Sequence, residues 1–451
     1  MAVSPARAAA FEILQRVERE ESYATELLHS ERFSKLSSAD HGLATELVMG
    51  VLRWRSWIDR RVAEASSQSL ERLDEEVLGA LRIGAYQLEF LSRVPARAAI
   101  FESVELVKVA RKRSAASFVN AVLRKMAGAS AIASAEPAAE IFAEIEKSTD
   151  PATLARNSAH PDWLVARWVE RYGIETARQI CMSDQHPPPT YIRVHDRQSL
   201  DELPREGVTL CKSRLLSGAQ IVVAGDITRT RVYRQGQVAI QDVGSQLVAL
   251  LVGHGKIILD CCAAPGGKTA LLARQNPTAL VVASDLHPHR ARLLRDLVSR
   301  PNVRIVAGDA RQLPFSGTFD RMLADVPCSG TGTLARNPGI KWRLRSEDLD
   351  DLQERQSAIL KSALAQLAAG GRLIYSTCSM EREENEAVVK AVLDEMPEFS
   401  IVDCRGELLR LQQEGDLCVE RIETLLDEAY LRTIPGRHAC DGFFAAIITK
   451  K

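Results

Sequence analysis

The sequence predicts a multidomain chain. Residues 1–128 read as an all-α domain, 129–235 as a linker with a small α+β domain, and 236–451 as an α/β domain on a largely parallel sheet. Three observations carry this. A chain of 451 residues favours two or three domains over one. Apolar residues recur at helical spacing from the start to about residue 128, with no alternating strand pattern. Beyond about residue 236, apolar strand-like runs alternate with helical stretches, the pattern of a parallel sheet with helices on both faces.

The helical pattern runs through Phe11, Leu14 and Val17; Leu43, Leu47 and Val51; Leu78 and Leu81; Val104 and Val107; Phe118 and Val122. Asp40 is expected to cap a helix running to Val51. Basic residues gather at Arg53, Arg55, Arg60 and Arg61, at Arg111, Lys112 and Arg113, and at Arg124 and Lys125. These are either an RNA-facing surface or solvated helix faces. Residues 129–150 are rich in Ala, Ser and Glu and read as a linker with one helix. Pro161-Asp162 opens a helical stretch, Pro187-Pro188-Pro189 breaks it, and short strands follow at Tyr191–Val194 and Ile221–Val223. Further strands are expected at Ile257–Asp260, Leu280–Asp285, Val303–Asp309, Arg321–Asp325, Arg372–Cys378 and Phe443–Thr449. Helices are clearest at Arg290–Ser299, Leu349–Leu367 and Glu383–Met396.

Composition narrows the function. Apolar residues make up 46% and charged residues 26%, which is ordinary for a globular chain. Lys+Arg number 58 and Asp+Glu 59, so a histone-like partner is excluded while local basic patches for RNA are not. No apolar run reaches the length of a membrane span. Met1 to Arg19 carries acidic residues and no apolar secretory core, so no signal peptide and a cytoplasmic location are expected. The nine cysteines include no C-x-x-C pair, which predicts reduced thiols, no disulfide framework and no metal site.

In a parallel sheet, ligands bind beyond the C-terminal ends of the strands, and here those ends carry chemistry. The first strand runs out through Asp260, Cys261, Cys262, Ala263, Ala264, Pro265, Gly266, Gly267, Lys268 and Thr269. A glycine pair opening a helix lets backbone approach a ligand closely. Gly267-Lys268-Thr269 looks like the end of a phosphate loop, but Cys262 holds the position of that motif's earlier glycine. The second strand ends at Asp285, where an acid can accept from both ribose hydroxyls of a nucleoside cofactor. The third ends at Asp309, where a carboxylate could meet an adenine edge. The fourth ends in Asp325-Val326-Pro327-Cys328-Ser329-Gly330, the fifth in Ser376-Thr377-Cys378-Ser379.

The first, fourth and fifth of these segments, Asp260–Thr269, Asp325–Gly330 and Ser376–Ser379, together resemble the RNA cytosine-5 methyltransferases that use S-adenosylmethionine. The resemblance covers about 236–451, including Gln241–Gln246 and Asp441-Gly442-Phe443-Phe444, and implies a class I, Rossmann-like methyltransferase domain. Residues 1–128 resemble the NusB-like RNA-binding domain. The pairing resembles bacterial small-subunit ribosomal RNA enzymes of the Sun/Fmu type. The charged stretch from about Arg405 to Arg432 is longer than that pattern leads one to expect, and it bears on the last strand's geometry.

By this resemblance Cys378 is the nucleophile and Cys328 assists proton removal and release; the residues alone do not order the two thiols. Residues Cys262 through Lys268 would line the methionyl part of the cofactor, Asp285 its ribose and Asp309 its adenine. Asp325 would lie near the methionine end or the cytosine edge. Lys268 would neutralise the cofactor carboxylate or stand as a surface lysine. Ribosomal RNA of the small subunit is the implied substrate. Transfer RNA, or an inactive RNA-binding or antitermination protein, is the alternative.

Overall fold

The computed structural model describes residues 3–20, 23–130, 137–298 and 300–450. The middle of the expected linker, 131–136, and the end of the expected helix at Ser299 lie outside the described residues. The chain packs into two compact units. One holds residues 1–187 together with 334–344, and the other holds 188–333 together with 345–451. The sequence boundaries at 128/129 and 235/236 follow changes of element type, whereas packing divides the chain at Pro187-Pro188.

The first unit is helical. Its main helices are Pro5–Glu20, Ser38–Arg53, Arg55–Ser66, Glu75–Phe90, Ala96–Val109, Ala116–Ser130 and Asp162–Asp184. The 3.6-residue pattern points one face of each inward, so Phe11, Leu14, Val17, Leu47, Val51 and Leu81 are buried. The expected cap at Asp40 is corrected: Ser37 caps the helix by accepting from the Asp40 N–H, which places Asp40 in the first turn. The first basic cluster is mostly spent inside the unit. Arg53 is buried and donates to the Ala335 carbonyl at 3.0 Å, and Arg55 pairs with Glu18 at 3.1 Å.

The second unit holds two sheets. The smaller contains β1 (Thr190–Val194), β2 (Thr209–Lys212), β3 (Ala219–Ala224) and β4 (Val238–Ile240), in the antiparallel order β2-β3-β1-β4. Alternation splits its faces. Ile192 and Val238 face the small domain's own core, while Tyr191 and Ala219 join the core cluster of the larger sheet's helices.

The larger sheet contains β5 (Ile257–Asp260), β6 (Leu280–Asp285), β7 (Val303–Ala307), β8 (Phe319–Asp325) and β9 (Leu367–Thr377). To these it adds β10 (Phe399–Val402), β11 (Leu426–Asp427), β12 (Tyr430–Thr433) and β13 (Phe443–Lys450). The path is β11-β12-β13-β9-β8-β5-β6-β7, with β10 paired to β13. Strands β5 to β9 are parallel, and β13 returns antiparallel beside β9. The central strands are buried on both faces: Ile258, Leu259, Leu323 and Ile374 are wholly enclosed, each worth about 1.5–3 kcal/mol. The chain winds outward from β5 in one direction through β6 and β7, then crosses back to β8. That reversal leaves a crevice between β5 and β8. The charged stretch at 405–432 forms the helix Cys404–Gln413, a short turn and strands β11 and β12. The last strand keeps its register against β9.

Candidate active site

Asp260 and Asp325 end the two strands that flank the crevice, and Ser376 sits one residue before the end of β9. Lys268, in the first turn of the helix Gly267–Gln275, reaches across the crevice to Asp325 at 2.7 Å. Its side chain is 13% exposed, so it is neither a surface lysine nor a free counter-charge. Burial opposes the Lys268 charge, but Asp325 outweighs it by charge and hydrogen bond, and the pKa is raised. Ser376 Oγ donates to the other Asp325 oxygen at 2.7 Å. Asp260 accepts from Thr269 Oγ1 at 2.7 Å, while its Oδ1 is buried with no hydrogen-bond partner among the described residues. Burial pushes Asp260 up to about 7; the Thr269 bond works against that and the Asp325 charge adds to it.

Asp285 is buried at the end of β6 and accepts from the Ala264 N–H at 3.3 Å and the His287 N–H at 3.1 Å. It therefore stands against the Cys262–Lys268 loop. Gly266 in that loop has φ +114°, and a Cβ there would lie 2.6 Å from both Leu294 and Val298. Only glycine fits. Asp309 follows β7, but its carboxylate is engaged: it accepts from the Arg311 N–H at 2.9 Å and from the Arg311 guanidinium at 2.7 Å.

Cys328 and Cys378 emerge from the ends of β8 and β9 and meet with their sulfurs 3.4 Å apart. The hydrogen bond with Cys378 pushes the Cys328 thiol well up, and burial and the charges of Cys378 and Glu384 add to it. Cys262 is half-buried in the glycine loop, while Cys261 is enclosed in the core.

Sequence reasoning missed the group that ties the two thiol loops together. Glu384 is fully buried and accepts from the Ser329 N–H at 2.7 Å and from Gln356 Nε2 at 2.9 Å. Its second oxygen accepts from both Ser329 Oγ and Ser379 Oγ. Gln356 also holds the Pro327 carbonyl at 3.0 Å. One signal was available: each cysteine is followed directly by a serine, Cys328-Ser329 and Cys378-Ser379. Two serines facing one carboxylate explain that repetition.

A doubly wound sheet with acids on successive strand ends defines a Rossmann-like methyltransferase, the class that uses S-adenosylmethionine. The residues fit such a group: Asp285 beside the glycine loop could hold a ribose, and the unpartnered Asp260 oxygen is an acceptor in the crevice. Comparison with known proteins takes this one step further. Residues 247–449 match the family described as 16S rRNA methyltransferase RsmB/F, 4–128 match the NusB family, and 160–216 match the RsmF/B-like ferredoxin-like domain. The chain is 33% identical to the Bacillus subtilis "Probable ribosomal RNA small subunit methyltransferase B", covering 98% of both proteins. It is 30% identical to ribosomal RNA small subunit methyltransferase B of Vibrio vulnificus, covering 99% of both. In fold it is similar to the crystal structure of PH0851, with a TM-score of 0.77 at 22% identity over 99% of each chain. NSun6 from Pyrococcus horikoshii, solved with SFG, has a TM-score of 0.55 at 20% identity over 65% of this chain and 99% of its own. The chain belongs to the RsmB/F methyltransferase family.

Proposed function

We propose that this protein methylates C5 of a cytosine in small-subunit ribosomal RNA through a covalent bond between Cys378 and C6. The observation that carries the reading is the pair of thiols 3.4 Å apart at the ends of adjacent strands. C5 of cytosine is a poor nucleophile, and adding a thiolate at C6 makes it enamine-like; covalent catalysis splits one hard step into easier ones. S-adenosylmethionine, when bound, supplies an electrophilic methyl group.

The chain's own groups do the rest. Asp285 accepts from the cofactor's ribose hydroxyls. Asp309 meets its adenine by giving up Arg311. The loop of Cys262, Ala263, Ala264, Pro265, Gly266, Gly267 and Lys268 lines its methionyl part. Asp325, held by Lys268 and Ser376, is fixed in the crevice and presents its edge to the cytosine. Lys268 lies close enough to Cys378 for their charges to interact.

The proton economy follows from the thiol pair. Before attack, Cys328 is held protonated chiefly by its bond to Cys378. Once the Cys378 sulfur is bonded to C6, that bond and that charge are gone, and the Cys328 pKa falls. Cys328 then gives its own proton to solvent water and, as thiolate, takes the proton from methylated C5. The electrons of the C5–H bond re-form the C5–C6 double bond, and Cys378 leaves as thiolate. An extruded or single-stranded cytosine is required, because C6 is inaccessible within a stack.

Variants of the two cysteines test the assignment. Cys378→Ala should lose essentially all turnover and form no adduct. Cys328→Ala should still attack and methylate but release poorly, accumulating a protein–RNA complex that survives denaturing electrophoresis. The double variant should show no complex. Adduct trapped in Cys378→Ala and absent from Cys328→Ala would exchange the roles. Bisulfite sequencing of small-subunit RNA from cells with and without the gene tests the substrate.

A further inference from the structure

Arg193 is a buried charge in the second unit with no hydrogen-bond partner among the described residues. It lies on β1 between Ile192 and Val194, on the face it shares with Tyr191, which packs into the core beneath the larger sheet's helices. Arg193 is 4% exposed, yet Nε and both terminal nitrogens have no hydrogen-bond partner among the described residues. A buried charge normally has its partner beside it, because desolvation without one is costly. The charged groups acting on Arg193 are instead two more cations, Arg274 and Arg300. Burial first, and these like charges second, push the Arg193 pKa down to about 10.

The same two arginines and Arg193 act on His195, just past the end of β1, whose buried Nδ1 also has no partner among the described residues. The nearby acid, Asp196, is occupied: it caps the next helix by accepting from the Ser199 N–H at 2.7 Å and from Ser199 Oγ at 3.0 Å. Arg300 also lines an open cleft of about 470 Å³ with Arg295, Arg304 and Ile305. Three arginines thus act on one another, with Asp196 alone set against Arg274; His195, pushed down to about 4, is neutral near pH 7, and Arg300 opens onto solvent through the cleft. Such an arrangement is unfavourable for the protein alone and favourable with an anion.

We propose that Arg193, Arg274 and Arg300, with His195 at their edge, form an anion site for a phosphodiester of the RNA backbone. The two partly exposed arginines make the contact, and buried Arg193 supplies a fixed positive field behind them. Arg274 closes the helix that Lys268 opens and Arg300 precedes β7, so the site lies toward the N-terminal ends of the parallel strands, away from the thiols, and suits RNA outside the target nucleotide. Arg274 lies six residues after Lys268 on the same helix, about 9 Å along its axis. A contact there holds register and carries no base information. The phosphate chemistry stands by itself; its assignment to RNA rests on the function proposed above.

The test uses the full chain, a fluorescein-labelled single-stranded 20-mer RNA and a salt titration of its affinity. Arg274→Gln/Arg300→Gln changes two exposed or half-exposed side chains and should fold normally. It should weaken RNA binding by about tenfold and flatten the salt dependence by about one phosphate contact or more. Arg193→Leu should weaken RNA binding too, and should raise the melting temperature of the RNA-free protein by removing an uncompensated charge. Calorimetry should show S-adenosylmethionine affinity unchanged in both variants. Unaltered RNA affinity in both, with Arg193→Leu less stable, would overturn the proposal and make Arg193 a core residue. Inorganic phosphate raising the melting temperature of the wild type alone, with RNA affinity unaltered in the variants, would overturn the RNA assignment. Failure of the methylation reading is distinguishable: no labelled methyl would reach RNA, while the affinity differences would persist.

Discussion

Glu384 joins two loops that approach from different strands, and its loss should be felt at the thiols rather than at the cofactor. Glu384→Ala removes the acceptor for Ser329 N–H, Ser329 Oγ, Ser379 Oγ and Gln356. Misplacement of reacting groups by an ångström costs about a hundredfold, and a drop in methyl transfer of roughly 10- to 100-fold is expected with S-adenosylmethionine binding unchanged. Glu384→Gln should recover most of the rate, because the two serine hydroxyls can reverse and accept from an amide. A purely electrostatic role for Glu384 predicts that Gln fails like Ala, and single-turnover assays separate the two. Asp285→Ala acts on the opposite term. A charge-assisted bond to a ribose is worth ~1.5–3 kcal/mol, so cofactor affinity should fall roughly 10- to 150-fold by calorimetry. The cysteines and strand-end acids were legible because their residue types are distinctive in their sequence context. Glu384 was not: an acid in the first turn of the expected helix Glu383–Met396 reads as solvated, and only the fold, in which that helix starts at Glu386, turns it inward. Lys268 was half legible, since its place on the helix was clear but its partner, 57 positions away, was not.

At the scale of elements, the end of β5 carries a pH signature. Asp260 titrates near 3.8 when unperturbed and at about 7 in the folded chain. Between those values the folded state binds more protons than the unfolded state, so this group's contribution to stability is full below about 4 and is lost as pH rises through about 7. Asp260→Asn keeps an acceptor for Thr269 and cannot titrate. Its stability relative to wild type should therefore climb as pH is raised from 4 to 7, read as paired denaturant midpoints; a constant offset across that window would show that Asp260 is not perturbed. The parallel strands were readable because strands buried on both faces are continuous apolar runs. The antiparallel margin was harder. Strands β11 and β12 have two and four residues and lie within a charged stretch, where composition reads as loop. The cap at Ser37 was missed for a local reason: Ser37 and Asp40 are both good capping residues three apart, and only backbone geometry decides between them.

At the scale of the whole molecule, the chain's path forbids a clean cut. Residues 334–344 follow directly on the loop that carries Cys328, yet they belong to the helical unit. Lys341 is buried there and donates to the carbonyls of Arg53 at 2.9 Å and Ala159 at 3.0 Å. Trp342 Nε1 donates to the Leu52 carbonyl at 2.6 Å, and Arg53 donates to Ala335. No sequence pattern announces this, because a short insertion between a strand and a helix reads as a surface loop. A fragment of residues 1–187 retains its helices but leaves Arg53, Leu52 and Ala159 without these partners. Each lost bond is worth about 0.5–1.5 kcal/mol, and a buried group left unsatisfied costs about 1–3 kcal/mol. The fragment should therefore unfold at a lower denaturant concentration than the helical unit within the full chain. Adding a synthetic peptide of residues 334–344 should shift the fragment's midpoint upward in a concentration-dependent way, as expected for a ligand of the folded state alone. The same peptide with Lys341→Met and Trp342→Ala should not. Equal stability of the fragment with and without the peptide would mean that the segment borrows its place from the helical unit without supporting it.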